Sequence, residues 1–141
     1  MNPHPSPTRS SVLKSYMVAH RVDPAALRSD GRLVLTFDAK WRVQVRPLAD
    51  GRFQVSAAIL DVSRLDEPLL DDLLLRLCGL AAGVIRDHHG ALALDAAAGR
   101  LLLHATIAAD AALHQFEAAL ADFVNTLAFW SASARAEAAR R

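Results

Sequence analysis

The sequence predicts an α+β domain in which helices pack on a twisted antiparallel sheet, in the order α-β-β-β-α-β-β-α. Apolar residues recur at every second position over residues 32–60, which is typical of half-buried strands. A leucine-rich run at helical spacing follows, then a second alternating segment and a long amphipathic stripe. With 141 residues, 52% of them hydrophobic, the chain has the size of one domain and can build a core.

The N-terminal segment is expected to contain a lead-in and one thin helix. Residues 1–8 carry three prolines and no apolar periodicity, so we expect them to be disordered. From Arg9 to His20 apolar residues recur at helical spacing, and Ser10 or Ser11 is the expected N-cap. This helix has a narrow apolar stripe and a polar back.

Three strands with one apolar face are predicted next. The residues that share this face are Leu33, Leu35, Phe37, Trp41, Val43, Val45, Phe53, Val55, Ala57 and Ile59. The other face carries Arg42, Arg46 and Arg52 between glutamines. We interpret it as a solvated sheet face and not as a nucleic-acid surface, because Trp41 and Phe53 point to the apolar side and cannot stack on bases there.

Residues 66–85 are predicted to form a buried helix. Asp66 is a suitable N-cap, and Glu67 and Pro68 are favoured in a first turn. The apolar arc covers about half of the circumference, more than one packing face needs. Its members are Leu69, Leu70, Leu73, Leu74, Leu77, Leu80, Ala81, Val84 and Ile85. Cys78 falls inside this arc, so we expect a buried and inert thiol.

The far side of the same helix carries Leu75 and two glycines. Gly79 and Gly83 are four residues apart, so one lies above the other. They either let a second helix approach closely or merely loosen the end of this one. A helix with apolar residues outside one packing face predicts two partners, its own sheet and a second subunit. Its charged residues argue against a membrane span.

The last third of the chain predicts a hairpin and a closing helix. Strands containing Leu92 and Leu94, and Leu101, Leu103 and Ile107, should pair around a turn at residues 96–99. Asp110 is the expected N-cap of a helix with an apolar stripe. That stripe consists of Leu113, Phe116, Leu120, Phe123, Leu127 and Trp130.

No residue pattern predicts catalysis, a metal or a cofactor, so the chain is not expected to be an enzyme. Cys78 with His88 or His89 would offer a thiol and a base, but the thiol is expected on a buried leucine face, where cysteines are usually inert. His88 and His89 are neighbours in a loop, and neighbours seldom point at one ion. The side chains of Asp71 and Asp72 diverge by about 100° on a helix, so we interpret them as part of a solvent-exposed helix face and not as a catalytic carboxylate pair.

Charge and cysteine content limit the partners and the compartment. The formal charge is +1, from 16 basic and 15 acidic residues, so we expect no nucleic-acid partner and no insertion into a membrane. A single cysteine fits a reducing compartment. The N-terminus lacks the apolar region of an export signal, so a cytoplasmic location is expected.

Several apolar residues are expected to remain uncovered, and together they predict a site for an extended peptide. They are Leu13, Tyr16 and Met17 on the first helix, and Val34, Leu60 and Leu102 on the polar side of the strands.

The chain resembles the class I type III secretion chaperones of the Tir-chaperone-like family. The resemblance rests on the element order, the hairpin segments GRLVLTFDAKWRVQVRP and DGRFQVSAAIL, the leucine-rich second helix, the second hairpin ALALDAAAGRLLLHATI and the closing helix FEAALADFVNTLAFW. The resemblance covers residues 10–133, and we set the domain at residues 9–133 with a tail at 134–141. The pI of the chain is near 8.0, whereas members of that family are commonly acidic.

The resemblance implies a bacterial cytoplasmic homodimer that binds the N-terminal segment of a secreted effector in extended form. It also implies delivery of that segment to the secretion ATPase. The dimer is expected to form through the second helix, at Leu74, Leu75, Cys78, Gly79, Ala82 and Gly83. The alternative is a non-catalytic dimeric adaptor or sensor that binds a folded partner or a small ligand. A sensor would need an enclosed cavity, whereas a chaperone would need open apolar grooves.

Overall fold

The helices and strands follow one another in the predicted order. The computed structural model describes residues 7–84 and 90–140. The elements are α1 (Pro7–Ala19), β1 (Leu33–Phe37), β2 (Trp41–Pro47), β3 (Phe53–Asp61), α2 (Glu67–Val84), β4 (Ala91–Asp95), β5 (Arg100–Ile107) and α3 (Leu113–Ala139), with a short 3₁₀ turn at Pro24–Ala26. No described helix has the length and apolar character needed to cross a membrane.

The strands form a five-stranded antiparallel sheet in the order β1-β2-β3-β5-β4. The register opposes Leu35 to Val43, and Val55 to Ala105. Because side chains alternate between the two faces of a strand, this register brings the apolar residues of all strands to one side. The predicted apolar face is confirmed, and most of its members are buried.

The long helix α3 covers the apolar face of the sheet. Its predicted stripe is confirmed, since Phe116, Leu120 and Leu127 are almost completely buried. The ring of Phe116 meets that of Phe53 edge to face, with centroids 5.5 Å apart. Helices α1 and α2 both pack on α3, so the three helices lie on one side of the sheet.

Three helix boundaries differ from the predictions. Helix α1 begins at Pro7 and so is not capped by the serines at 10 and 11. Helix α3 has Ala112 as its N-cap, and Asp110 therefore does not cap it. The Gln115 side chain accepts a hydrogen bond from the Ala112 amide at 2.9 Å, which replaces part of the missing cap. The same helix continues to Ala139, beyond the expected start of the tail.

The prediction that α2 packs on its own sheet is wrong, because its main contacts within the chain are with α3. The single chain buries only part of this helix. Its start is confirmed, because the Asp66 carbonyl accepts the first helical hydrogen bond from Leu70 at 2.9 Å. However, Leu73 and Leu77 are the only buried residues among those described in α2. The other described members of its apolar arc are half-buried or, like Leu69, 40% exposed, and Ile85 lies outside the described residues. The chain alone does not cover this helix.

Candidate partner-binding surfaces

The outer face of α2, defined as Leu74, Leu75, Cys78, Gly79, Ala82 and Gly83, is open to solvent. Leu75 is 73% exposed, Leu74 is half-buried, and the other four residues are exposed. The expected burial of the Cys78 thiol is therefore wrong. Among the described residues, no atom apart from the adjoining residues and the backbone of the helix itself lies within 4 Å of the position that a Cβ would take at Gly79 or Gly83. These six residues form one exposed, mostly apolar helix face, as a contact between subunits would require.

An ion-pair network fixes α2 against the end of α3, and it involves Arg76. The guanidinium lies 2.8 Å from an Asp72 carboxylate oxygen and donates a hydrogen bond to the Arg140 carbonyl at 3.2 Å. Glu137 lies at 3.9 Å from the same guanidinium. Exposed pairs of this kind contribute little stability individually, about 0–1 kcal/mol, but they fix orientation. Leu73 and Leu77, the buried residues described in α2, lie on the opposite side of this helix, so its outer face points away from the core.

Two of the expected client-binding residues on α1 are buried. Leu13 is in the core, and Tyr16 is only 4% exposed. The Tyr16 ring stacks on His20 with centroids 4.3 Å apart and contacts Phe116 edge to face. Burial raises the pKa of Tyr16, and the nearby Glu117 carboxylate adds to the effect. The expectation that Leu13 and Tyr16 are uncovered is wrong, because α1 uses them to pack on α3.

The other four expected client-binding residues do not form one surface. Met17 is half-buried on α1, on the helix side of the sheet. Val34 and Leu102 line a hollow over the opposite sheet face. Leu60 does not line it, because a bulge between Ala58 and Leu60 places Leu60 opposite Leu101, a buried residue. The six residues are thus divided between the core and both faces of the sheet.

The hollow over the polar sheet face has a volume of about 840 Å³ and is strongly basic. We call it the basic hollow. Among the described residues, Asp95 is the one acidic side chain that lines it. Arg32 lines it too and pairs with Asp30 at 2.7 Å. The remaining cations at the hollow are Arg28, Lys40, Arg42, Arg46, Arg100 and Arg135.

The strands β2 and β3 separate next to this hollow. Their pairing ends at Gln44 and Ser56, although β2 begins earlier, at Trp41, and β3 continues to Asp61. Over residues 41–43, β2 pairs with β1 alone, and over residues 57–61, β3 pairs with β5 alone. Two neighbouring strand edges in the middle of the sheet are thus left out of the β2–β3 ladder.

The floor of the basic hollow reaches the helix layer. Leu127 and Ser131 of α3, which pack on the apolar side of the sheet, also line the hollow. His104 lies opposite Ser56 on the polar face, and its Nδ1 is buried without a hydrogen-bond partner among the described residues. A buried polar atom without a partner is costly, so a bound hydrogen-bonding group there would be favourable.

Sequence reasoning found only part of this site. The alternation of β2 identifies Arg42 and Arg46 as neighbours on one face, but it leaves them as a solvated surface. Arg28 precedes β1, Arg100 begins β5, and Arg135 lies near the end of α3. No local pattern connects these positions, since only the tertiary fold brings them together. The strand register, which places Arg46 opposite Gln54, is the information that would have identified more of the hollow.

No group of metal-ligating side chains was found within residues 7–84 and 90–140. The histidines at 88 and 89, which the sequence offered as a base or as metal ligands, lie outside those ranges. The basic hollow is open, unlike the enclosed cavity that a small-molecule sensor would need.

The comparison with protein families identifies this arrangement. Residues 13–131 match the model of the Tir chaperone protein (CesT) family. The chain belongs to this family of type III secretion chaperones. A search of curated proteins found no match.

Solved structures with the CesT-family fold agree with the architecture. A chain of the ExsC–ExsE complex superimposes with a TM-score of 0.68 at 23% identity, over 93% of this chain and 95% of that one. A chain of the HopA1–SchA chaperone–effector complex gives 0.62 at 12% identity, over 88% and 93%. The Yersinia pestis secretion chaperone SycH, in complex with a fragment of YscM2, gives 0.57 at 18%, over 86% and 98%. These TM-scores show a shared fold, and with identities below 25% the likeness shows the fold alone.

The outer face of α2 and the uncovered sheet face are two surfaces that a partner could bind. The outer face of α2 is apolar, and the hollow is basic. Surfaces of such different chemistry suit different partners.

Proposed function

We propose that this protein is a class I type III secretion chaperone that acts as a homodimer. It binds the N-terminal chaperone-binding segment of an effector in extended form, keeps that segment soluble and delivers it to the secretion ATPase. The observation that carries this proposal is the family match over residues 13–131. The two neighbours whose descriptions name a chaperone, SchA and SycH, were solved in complexes with other proteins.

The exposed outer face of α2 supports the homodimer. Soluble monomers rarely expose a contiguous apolar face, and here Leu75 lies beside small residues that would let a second helix approach. A two-fold contact between two α2 helices would be isologous, so the same patch would cover itself. We infer that each subunit buries the outer face of α2 against its partner.

The open sheet supports binding of an extended segment. An extended peptide gains affinity from main-chain hydrogen bonds to a strand edge and gains specificity from side-chain pockets. The outermost strand β4 has the sequence ALALD, with neither proline nor lysine to block an added strand. Binding of this kind needs no nucleotide, metal or cofactor.

Co-expression with an effector fragment tests the proposal. The full chain is produced with and without the N-terminal 100 or so residues of a candidate effector from the same genome, and the mixture is treated with a nonspecific protease. We expect a stable fragment of the effector and a complex with two chaperone chains in light scattering. The proposal would be contradicted if every candidate effector were digested equally fast with and without the chaperone.

A further inference from the structure

We propose that the basic hollow binds an acidic segment of the client polypeptide in extended form. This inference adds the chemistry of the client to the proposed function. It rests on the proposed function in one respect, namely that the bound segment is unfolded. The hollow opens on the polar face of the sheet and reaches α3, and no described residue of α2 lines it. It is therefore separate from the outer face of α2.

The charge of the hollow is the first argument. The whole chain carries a formal charge of only +1, so a hollow lined by seven cations and one carboxylate among the described residues is a local segregation of charge. Arg28, Arg42 and Arg46 have no ion-pair partner within the described part of the chain. Like charges gathered without counter-charges repel one another, and an acidic ligand would relieve this repulsion.

The separation of β2 and β3 is the second argument, and it favours a polypeptide. Residues 41–43 and 57–61 present strand edges that are not used in the β2–β3 ladder. A peptide backbone carries donors and acceptors at the spacing of a strand, so it can bond to such edges. Gln44 and Ser56, at the point of separation, add side-chain amide and hydroxyl groups.

The lining of the hollow argues against nucleic acid. The centre of the polar face contains Val34, Ala58 and Leu102 among its polar residues. Apolar side chains of this size suit the alternating side chains of an extended peptide. Proteins that bind single-stranded nucleic acid instead present free aromatic rings to the bases. Trp41, which the sequence placed on the apolar side alone, does line the hollow, but it is half-buried and Lys40 lies over its ring at 4.6 Å.

The experiment measures binding of three labelled probes to the full chain by fluorescence anisotropy. The first is a peptide of about 12 residues that alternates Glu or Asp with Thr or Val, which spans about 40 Å when extended. The second replaces each acidic residue with Lys. The third is a single-stranded oligonucleotide of equal charge to the first. We expect the acidic peptide to bind most tightly, with an affinity that falls when the salt concentration rises from about 0.05 to 0.5 M.

A matched pair of variants locates the site. Arg42→Glu with Arg46→Glu should weaken the acidic peptide at least about tenfold. Arg21→Glu with Arg64→Glu makes the same change of charge at exposed residues outside the hollow and should alter the affinity less than about twofold. Circular dichroism checks that both variants are folded.

The outcomes separate this proposal from the proposed function. Equal binding of acidic and basic peptides, tighter binding of the oligonucleotide, or an unchanged affinity in the Arg42 and Arg46 variant would each overturn the acidic-client proposal. If that variant still protects an effector fragment from proteolysis, the chaperone function stands without it. If the wild type binds the acidic peptide as described but protects no effector fragment, the hollow stands and the chaperone function fails.

Discussion

Leu75 and Leu77 lie two residues apart on α2, yet 73% of Leu75 is exposed and only 1% of Leu77. Two residues along a helix turn the side chain through about 200°, so the two leucines point in nearly opposite directions. Leu77 packs in the core of the chain. Leu75 lies on the outer face of α2, where a second subunit is proposed to bind.

The first prediction concerns Leu75→Asp. A carboxylate at the centre of an apolar contact would be buried without a partner, so we expect the variant to be monomeric at concentrations where the wild type is a dimer. The fold should persist, because the side chain touches little of its own subunit. Light scattering coupled to gel filtration measures the mass, and circular dichroism measures the helix content.

Leu77→Ala is the control for this prediction. It creates a cavity in the core and should lower the free energy of unfolding by about 2–5 kcal/mol. A wild-type chain that remains monomeric at high concentration, or a Leu75→Asp chain that remains dimeric, would contradict the proposed dimer.

The second prediction uses the Cys78 thiol as a reporter. Cys78 is exposed and lies one helical turn from Leu75, on the outer face of α2. In the dimer we expect slow reaction with a maleimide, and in the Leu75→Asp monomer a rate typical of a free thiol. The reaction is followed by intact mass spectrometry. Equal rates in the two proteins would place the dimer contact elsewhere on the chain.

Sequence periodicity predicted the element order and most of the core because it reports which residues share a face. The stripe of α3 and the apolar face of the sheet are examples, since their burial depends on spacing alone. Periodicity does not report which face the chain itself covers. Tyr16 and Cys78 were both misjudged for this reason, with Tyr16 found buried and Cys78 found exposed.

The candidate sites were less predictable than the fold. Leu60 was assigned to the polar face by strict alternation, but a bulge shifts the register just before it, and the apolar run AAIL at residues 57–60 contains no glycine or other residue that would indicate a bulge. The basic hollow joins residues from five segments of the chain. Such a site becomes visible only when strand order and register are known.

The third prediction concerns Asp61, which closes the turn between β3 and α2. One carboxylate oxygen accepts hydrogen bonds from the Ser63 hydroxyl at 2.6 Å and from the Ser63 amide at 2.9 Å. These bonds hold the pKa of Asp61 below its ordinary value of 3.8. A carboxyl with a lowered folded-state pKa stabilises the protein above its unfolded-state pKa, and this contribution is lost as the pH falls through the folded-state value.

Asp61→Ala should therefore lower the thermal unfolding midpoint at pH 7, and the difference from wild type should shrink progressively as the pH falls below the ordinary carboxyl pKa of 3.8. Thermal unfolding at several pH values measures both quantities. Asp122→Ala, an exposed change on α3, keeps the bonds to Ser63 and should reproduce the pH dependence of the wild type. A difference between Asp61→Ala and wild type that stays constant from neutral to acid pH would contradict this explanation.

The fourth prediction concerns Gly99, in the β4–β5 turn. A Cβ at this position would lie 2.7 Å from the Ser63 Cβ and 3.1 Å from its Cα, and the backbone φ is +66°. Gly99→Ala should therefore destabilise the protein by about 1–3 kcal/mol in chemical denaturation. Adding Ser63→Gly removes the closest contact and should restore part of the loss, whereas an Ala at 99 that costs nothing would show that the turn is more open.

The fifth prediction is a stabilising change at Ala39, in the β1–β2 turn. Its φ is +53°, a left-handed conformation that costs a residue with a Cβ about 1–2 kcal/mol. Ala39→Gly should relieve this strain and raise the free energy of unfolding by about 1 kcal/mol, less the entropy that glycine loses on folding. Ala96→Gly is the matched control, because Ala96 is an exposed turn residue without a positive φ and should lose stability. Equal destabilisation of both variants in chemical denaturation would show that the turn at Ala39 is not strained.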